Sequence, residues 1–111
     1  MDKKYAAQEA ITHSMMGSLG LKLIEEKEGF IRASMPVNDN TSQPFGVLCG
    51  GASLAFAEII AGYGSYLCCP EGFIPVGSSV SGNHVSSVRK APDVLVYAEA
   101  TALHLGRTTH L

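Results

Sequence analysis

Between Thr41 and Pro70 the only side chain that carries a full charge at neutral pH is Glu58. Its neighbours are alanine, glycine, leucine and isoleucine. A carboxylate among apolar residues is costly unless it is paired, hydrogen-bonded or put to use. Held away from water, such a group becomes a stronger base. It can take a proton from water or attack an electrophilic carbon itself, and the residues do not choose between the two. The plainer reading is a glutamate on the exposed face of a helix. Upstream stand Gln43, Cys49, Gly50 and Gly51. A glycine pair at a helix start leaves backbone N–H groups free to hold a developing oxyanion, helped by the helix dipole. Glycine also lets a ligand approach the backbone closely, although a turn or tight packing explains the pair equally well. Gln43 is either a polar donor or an ordinary loop residue before Pro44. The Cys49 thiol either packs or attacks, and packing is favoured because no histidine base lies close in sequence.

The element that carries Glu58 must be a helix. Small and apolar residues run from Gly50 to Leu67, nearly all round, which predicts a buried helix over 50–67. Pro70-Glu71-Gly72 ends it. Ahead of it, residues 3–16 read as a first helix. Asp2 is its cap, and Tyr5, Ala6, Ala10, Ile11 and Met15 form its apolar stripe. Gly17 and Gly20 stop that helix. Residues 21–27 and 30–37 alternate apolar and polar around Glu28-Gly29, which predicts a hairpin. Asn38-Asp39-Asn40-Thr41 is a polar loop. Residues 76–88 form an extended segment bent at Gly82. Ala91-Pro92-Asp93 turns the chain into a strand in which Val94, Val96, Ala98, Ala100 and Ala102 share one face. Gly106 turns again, and residues 107–111 begin a further strand. The fold class is therefore α+β, an antiparallel sheet wrapped around one long helix, with residues 1–111 as one domain.

Composition narrows the function classes. The chain has 111 residues, 46% of them hydrophobic, and a net charge of −2. It has no basic run suited to nucleic acid. The three cysteines, Cys49, Cys68 and Cys69, lack CxxC spacing, which fits a reducing, cytoplasmic compartment. The N-terminus has no apolar signal core. Glu58 and several glycines interrupt the stretch 47–69, which argues against a membrane span. His84, His104 and His110 match no standard zinc spacing, so no metal is expected.

The run QPFGVLCGGASLAFAE resembles the signature of the hotdog-fold acyl-CoA thioesterases. The similarity extends through VGSSVSGNHVSSVRK and LHLGRTTHL, in the same order. The branch it resembles acts on aryl- and other acyl-CoA thioesters, including 1,4-dihydroxy-2-naphthoyl-CoA of menaquinone synthesis. The resemblance implies a homodimer or homotetramer with active sites between subunits, and no cofactor beyond the CoA of the substrate. It implies Glu58 as the catalytic carboxylate, Gly50 as oxyanion donor and Gln43 near the thioester. It also implies that Gly77, His84, Ser86, Ser87, His104, Gly106 and Arg107 line the substrate site. Arg107 and Lys90 are the cations suited to its phosphates. Read without the resemblance, His84 is equally well a satisfied strand histidine.

Two departures stand out. Many relatives carry histidine where this chain has Cys49, and a thiol is a weaker donor. The family pattern also continues beyond the equivalent of His110, so an antiparallel sheet here would lack strands and expose an edge. These departures motivate a rival: a catalytically degenerate hotdog module that binds acyl thioesters or serves assembly only. A hotdog dehydratase is a second rival, but it needs a histidine near the helix, where Cys49 stands.

Overall fold

A computed structural model describes residues 3–111, with side chains from residue 8 onward. The elements are α1 (Lys3–Thr12), α2 (Met15–Ser18), β1 (Lys22–Lys27), β2 (Phe30–Pro36), a 3-10 turn (Asp39–Thr41), α3 (Gly50–Cys68) and β3 (Leu95–Thr101). β2 pairs antiparallel with both β1 and β3, giving the order β1-β2-β3. α3 packs on β2 and β3.

The hairpin and the last strand follow the alternation in the sequence. Gly29 takes a positive φ of 78° at the β1–β2 turn. β2 then pairs in register from Phe30↔Thr101 to Pro36↔Leu95. Its Ile31, Ala33 and Met35 are at most 1% exposed. They meet Phe56 and Ile60, one turn apart on α3, together with Met16 and Leu21. In β3, Val96, Ala98 and Ala100 line the same core, while Tyr97 and Glu99 point outward.

The N-terminal helix is two helices rather than one. Ser14 breaks it: its hydroxyl donates to the Ile11 carbonyl at 2.9 Å and accepts the Met16 N–H at 3.2 Å. That cap resets the helical phase, so Met16 is buried and Met15 is 57% exposed. The stripe through Met15 is corrected accordingly. Asp2, Tyr5 and Ala6 lie outside the described side chains.

Two further expectations change. Residues 76–88 are extended but join no ladder among the described residues; they are tied at their end by Leu48 N–H to the Val88 carbonyl (2.8 Å) and by the Val47↔Arg89 bridge. The physical reason is topological. β2 has strands on both sides, and the segment runs along α3, with Gly82 against Leu54 and His84 against Gly50, rather than along the outer edge of β1 or β3. Gly82 marks close approach to α3, with Leu54 Cδ1 3.3 Å from where a Cβ would stand. Residues 107–111 do not open a new strand. Gly106 N–H bonds the Thr109 carbonyl and Leu111 N–H returns to the His104 carbonyl, both at 2.9 Å, which closes a tight hairpin.

The central helix is buried along one stripe rather than all round. Phe56 and Ile60 are buried, while Gly51, Ala57, Glu58 and Ala61 are exposed. Three strands cover only one side of α3. No helix among the described residues is long and apolar enough to cross a membrane.

Candidate active site

The loop 42–49 brings the chain to the start of α3. It is a tight turn: Gln43 N–H reaches the Val47 carbonyl at 2.8 Å, and Gly46 sits at φ 84°. Thr41, 1% exposed, anchors its base; its hydroxyl donates to the Pro36 carbonyl at 2.7 Å, and its carbonyl accepts the Cys49 N–H at 2.9 Å. Cys49 is the N-cap residue of α3, and its side chain makes no capping bond. Its carbonyl accepts from Ala52 and Ser53. The N–H groups of Gly50 and Gly51 therefore find no acceptor among the described residues, as the first turn of a helix requires. The thiol lies over Gly51, 3.6 Å from where a Cβ would be. Uncapped N–H groups at a helix start are suited to a negative oxygen.

The extended segment 76–88 runs beside this helix in the opposite direction. Gly77 lies against the Glu58 carboxylate, Gly82 against Leu54, and His84 against Gly50. The His84 Nε2 is 2.9 Å from the position of a Cβ on Gly50. Both glycines thus serve close approach: a side chain at 77 would collide with Glu58 Oε1, and one at 50 with the imidazole. Ser86 and Ser87 are exposed further along.

Glu58 itself is exposed, which corrects the expectation of a buried carboxylate. The cause is the uncovered side of α3. Gly50 and Glu58 also stand about 12 Å apart along the helix axis and about 80° apart around it. A carbonyl under attack must lie roughly 3 Å from both the attacking group and the oxyanion donors. Gly50 and Glu58 of one chain are therefore too far apart to meet at one carbonyl; Gly77 adjoins Glu58 and His84 adjoins Gly50.

The remaining sequence-predicted groups sit elsewhere. His104 folds over Gly106 in the C-terminal hairpin, its Nε2 2.5 Å from a Cβ position there. Arg107 is exposed and makes no ion pair among the described residues. Lys90 is engaged: its Nζ is 2.7 Å from Asp39 Oδ1. The Lys90 hydrogen bond, and then its charge, holds the Asp39 carboxyl below the usual carboxylate range. Lys90 and Asp39 border a groove of about 560 Å³ with Val37, Asn38 and Pro92, apart from Glu58. No group of three or more metal-ligating side chains stands together among the described residues. The three cysteines are free thiols.

One contact was not anticipated. The Ser65 hydroxyl and His110 Nδ1 are 2.6 Å apart, joining the C-terminal hairpin to the second half of α3.

A three-stranded antiparallel sheet packed on one long helix, with uncapped glycines at the helix start, is the hotdog architecture of thioesterases. The sequence profile described as Thioesterase superfamily matches residues 45–111, and the chain belongs to that family of thioester hydrolases. It is 34% identical over 109 residues to the proofreading thioesterase EntH of Cronobacter turicensis, covering 95% of this chain and 77% of that one. It is 38% identical over 93 residues to the 1,4-dihydroxy-2-naphthoyl-CoA hydrolase of Escherichia coli, covering 84% and 66%. Among solved structures, a thioesterase from Haemophilus influenzae superposes with a TM-score of 0.83 at 37% identity, over 96% of this chain and 73% of that one. The curated relatives are longer; the chain spans from 63% to 78% of their length.

Proposed function

We propose that this chain is a cytoplasmic acyl-CoA thioesterase that works as a homodimer or homotetramer, with Glu58 of one subunit facing Gly50 of another. The observation that carries the reading is the division of the site. Gly50 and Glu58 lie on one helix yet too far apart to touch one carbonyl. A second copy, brought in along the exposed apolar face of α3 and the unpaired 76–88 segment, closes that gap. Val76 and Val85 on this segment are 84% and 93% exposed, and a partner strand satisfies the free backbone there.

In the assembled site the N–H of Gly50, joined by the Gln43 side chain that the family resemblance puts near the thioester, polarises the carbonyl. Glu58 then acts in one of two balanced ways. Its carboxylate adds to the carbonyl carbon and the CoA sulfur departs as a thiolate, leaving an anhydride that water opens. Alternatively it takes a proton from water as the water adds, and the same thiolate leaves. Either route yields free acid and CoA, and neither calls for a metal or redox cofactor. His84, Ser86, Ser87 and the free Arg107 are suited to the CoA portion, and Gly77 leaves room beside the carboxylate. An aryl acyl group fits the likeness to the E. coli 1,4-dihydroxy-2-naphthoyl-CoA hydrolase, which also suggests a place in menaquinone synthesis.

A second reading has its own support: Cys49 at the position of a stronger donor, and Glu58 exposed. On that reading the chain binds acyl thioesters, or only assembles, without turnover. Thiol release over a panel of acyl-CoA substrates separates the two. Glu58→Gln keeps the side-chain volume and should cost about 100-fold or more in turnover. Turnover within a few-fold of wild type in folded Glu58→Gln protein removes Glu58 from the chemistry.

A further inference from the structure

Glu58 and Ser65 lie on one face of α3, about 20° apart around the axis and about 10 Å apart along it. Between them stand Ala61, which is exposed, and Gly62. A Cβ added at Gly62 meets nothing within 4 Å. The face is therefore an open floor that starts at the carboxylate. At its far end it is stopped by a polar pair, Ser65 Oγ and His110 Nδ1 at 2.6 Å, both half-buried. His110 arrives from the C-terminal hairpin, held by the Leu105↔His110 bridge.

We infer that Ser65 and His110 form a recognition site for a polar substituent at the end of the acyl group farthest from the thioester, a hydroxyl above all. This rests on the thioesterase reading for the direction in which the acyl group lies. The hydrogen-bond chemistry of the pair selects the substituent. With the proton on Nε2, the serine hydroxyl donates to Nδ1; the pair then offers an Nε2–H donor and the serine oxygen as acceptor. With the proton on Nδ1, the imidazole donates to the serine; the pair then offers the serine O–H as donor and Nε2 as acceptor. Each tautomer presents one donor and one acceptor. A hydroxyl satisfies both at once, a carboxylate accepts only, and a bare ring edge leaves both unpaired. Leaving such groups unpaired is what penalises the analogue that lacks the hydroxyl.

The test measures kcat/KM for benzoyl-CoA against 4-hydroxybenzoyl-CoA, and for 2-naphthoyl-CoA against 6-hydroxy-2-naphthoyl-CoA. The wild type should favour the hydroxylated member of at least one pair about tenfold. In Ser65→Ala and in His110→Phe that ratio should fall to about one. The same pairs are titrated calorimetrically into Glu58→Gln protein, so that recognition is read without turnover. Absence of thiol release with any substrate counts against the thioesterase reading; the calorimetric preference, and its loss in the double variants with Ser65→Ala or His110→Phe, still decides the recognition site. No preference in the wild type, or an unchanged preference in folded variants, overturns the inference.

Discussion

Gly77→Ala places a methyl group on the Glu58 carboxylate and is the most informative single substitution at the site. The added Cβ would stand closer to Oε1 than real contacts allow. Gly77 has no positive φ, so alanine brings no backbone strain there. It lies in an exposed stretch of its own chain, so little packing within one subunit is at stake. The consequence is local: either the carboxylate leaves its rotamer or the 76–88 segment moves away. An off-rotamer side chain costs about 0.5–1.5 kcal/mol. A displacement near 1 Å at a reacting group costs up to about 100-fold in rate. Together these give an expected fall in kcat of about 10- to 100-fold, with KM changed much less and the melting temperature nearly unmoved. Gly82→Ala is the matched control. Its Cβ meets only the end of Leu54, at 3.3 Å, and a flexible side chain yields there. Steady-state thiol release and thermal melts on the two variants make the measurement. Gly77→Ala turnover within twofold of wild type, or a loss matched by Gly82→Ala, would refute the placement of Gly77 against a working carboxylate.

Two further outcomes follow from the same structure. Cys49→His should raise kcat/KM on an aryl-CoA by up to about tenfold, less than the full worth of one oxyanion donor because the site is shaped to the smaller thiol, while Cys49→Ala stays within about threefold; a large loss in Cys49→Ala with an acyl adduct trapped on the thiol would make Cys49 the nucleophile. Tyr63 is pushed above its ordinary value of 10.0 by burial first, then by the charge of Glu26 and by Tyr66. Folding therefore favours its neutral form, so this contribution to stability is complete below the unfolded pKa and is lost as pH rises through the folded one. An ultraviolet titration should show one tyrosine ionising late, and in Tyr63→Phe that late phase should vanish.

The hairpin, β3 and α3 were legible because each is decided locally. Alternation in β2 puts Ile31, Ala33 and Met35 on one face, and nothing distant overrides it. The break at Ser14 was hidden because it depends on one hydroxyl bridging Ile11 and Met16, which the apolar stripe does not record. The exposure of Glu58 was hidden for a different reason. An all-apolar helix tells that its surface is to be covered, but not whether its own sheet or another copy does the covering. Residues 76–88 misled in the same way: their extended character was readable, their lack of a sheet partner was not. The neighbourhood of Gly77, His84 and Gly50 entered through resemblance, and the structure places Gly77 beside Glu58 and His84 beside Gly50. The Ser65–His110 contact was not foreseen, since it joins residues far apart in sequence through a hairpin that read as a strand.

The shared site is tested most directly by complementation between two inactive chains. Glu58→Gln removes the carboxylate. Gly50→Pro removes one oxyanion N–H at the first helical position, where Cys49, at φ −74° and ψ 131°, already has the conformation that proline demands; its Cβ also displaces the His84 imidazole of the same chain, so both changes fall in the Gly50 half of the site. Each variant alone should be nearly silent in thiol release. Co-expressed in equal amounts they should recover about a quarter of the wild-type rate, because about half of the dimers are mixed and one of the two sites in each mixed dimer has both groups intact. A mixture that stays at the average of its two silent parents, although mixed dimers are present, would contradict the account and place Glu58 and Gly50 of one chain in one site.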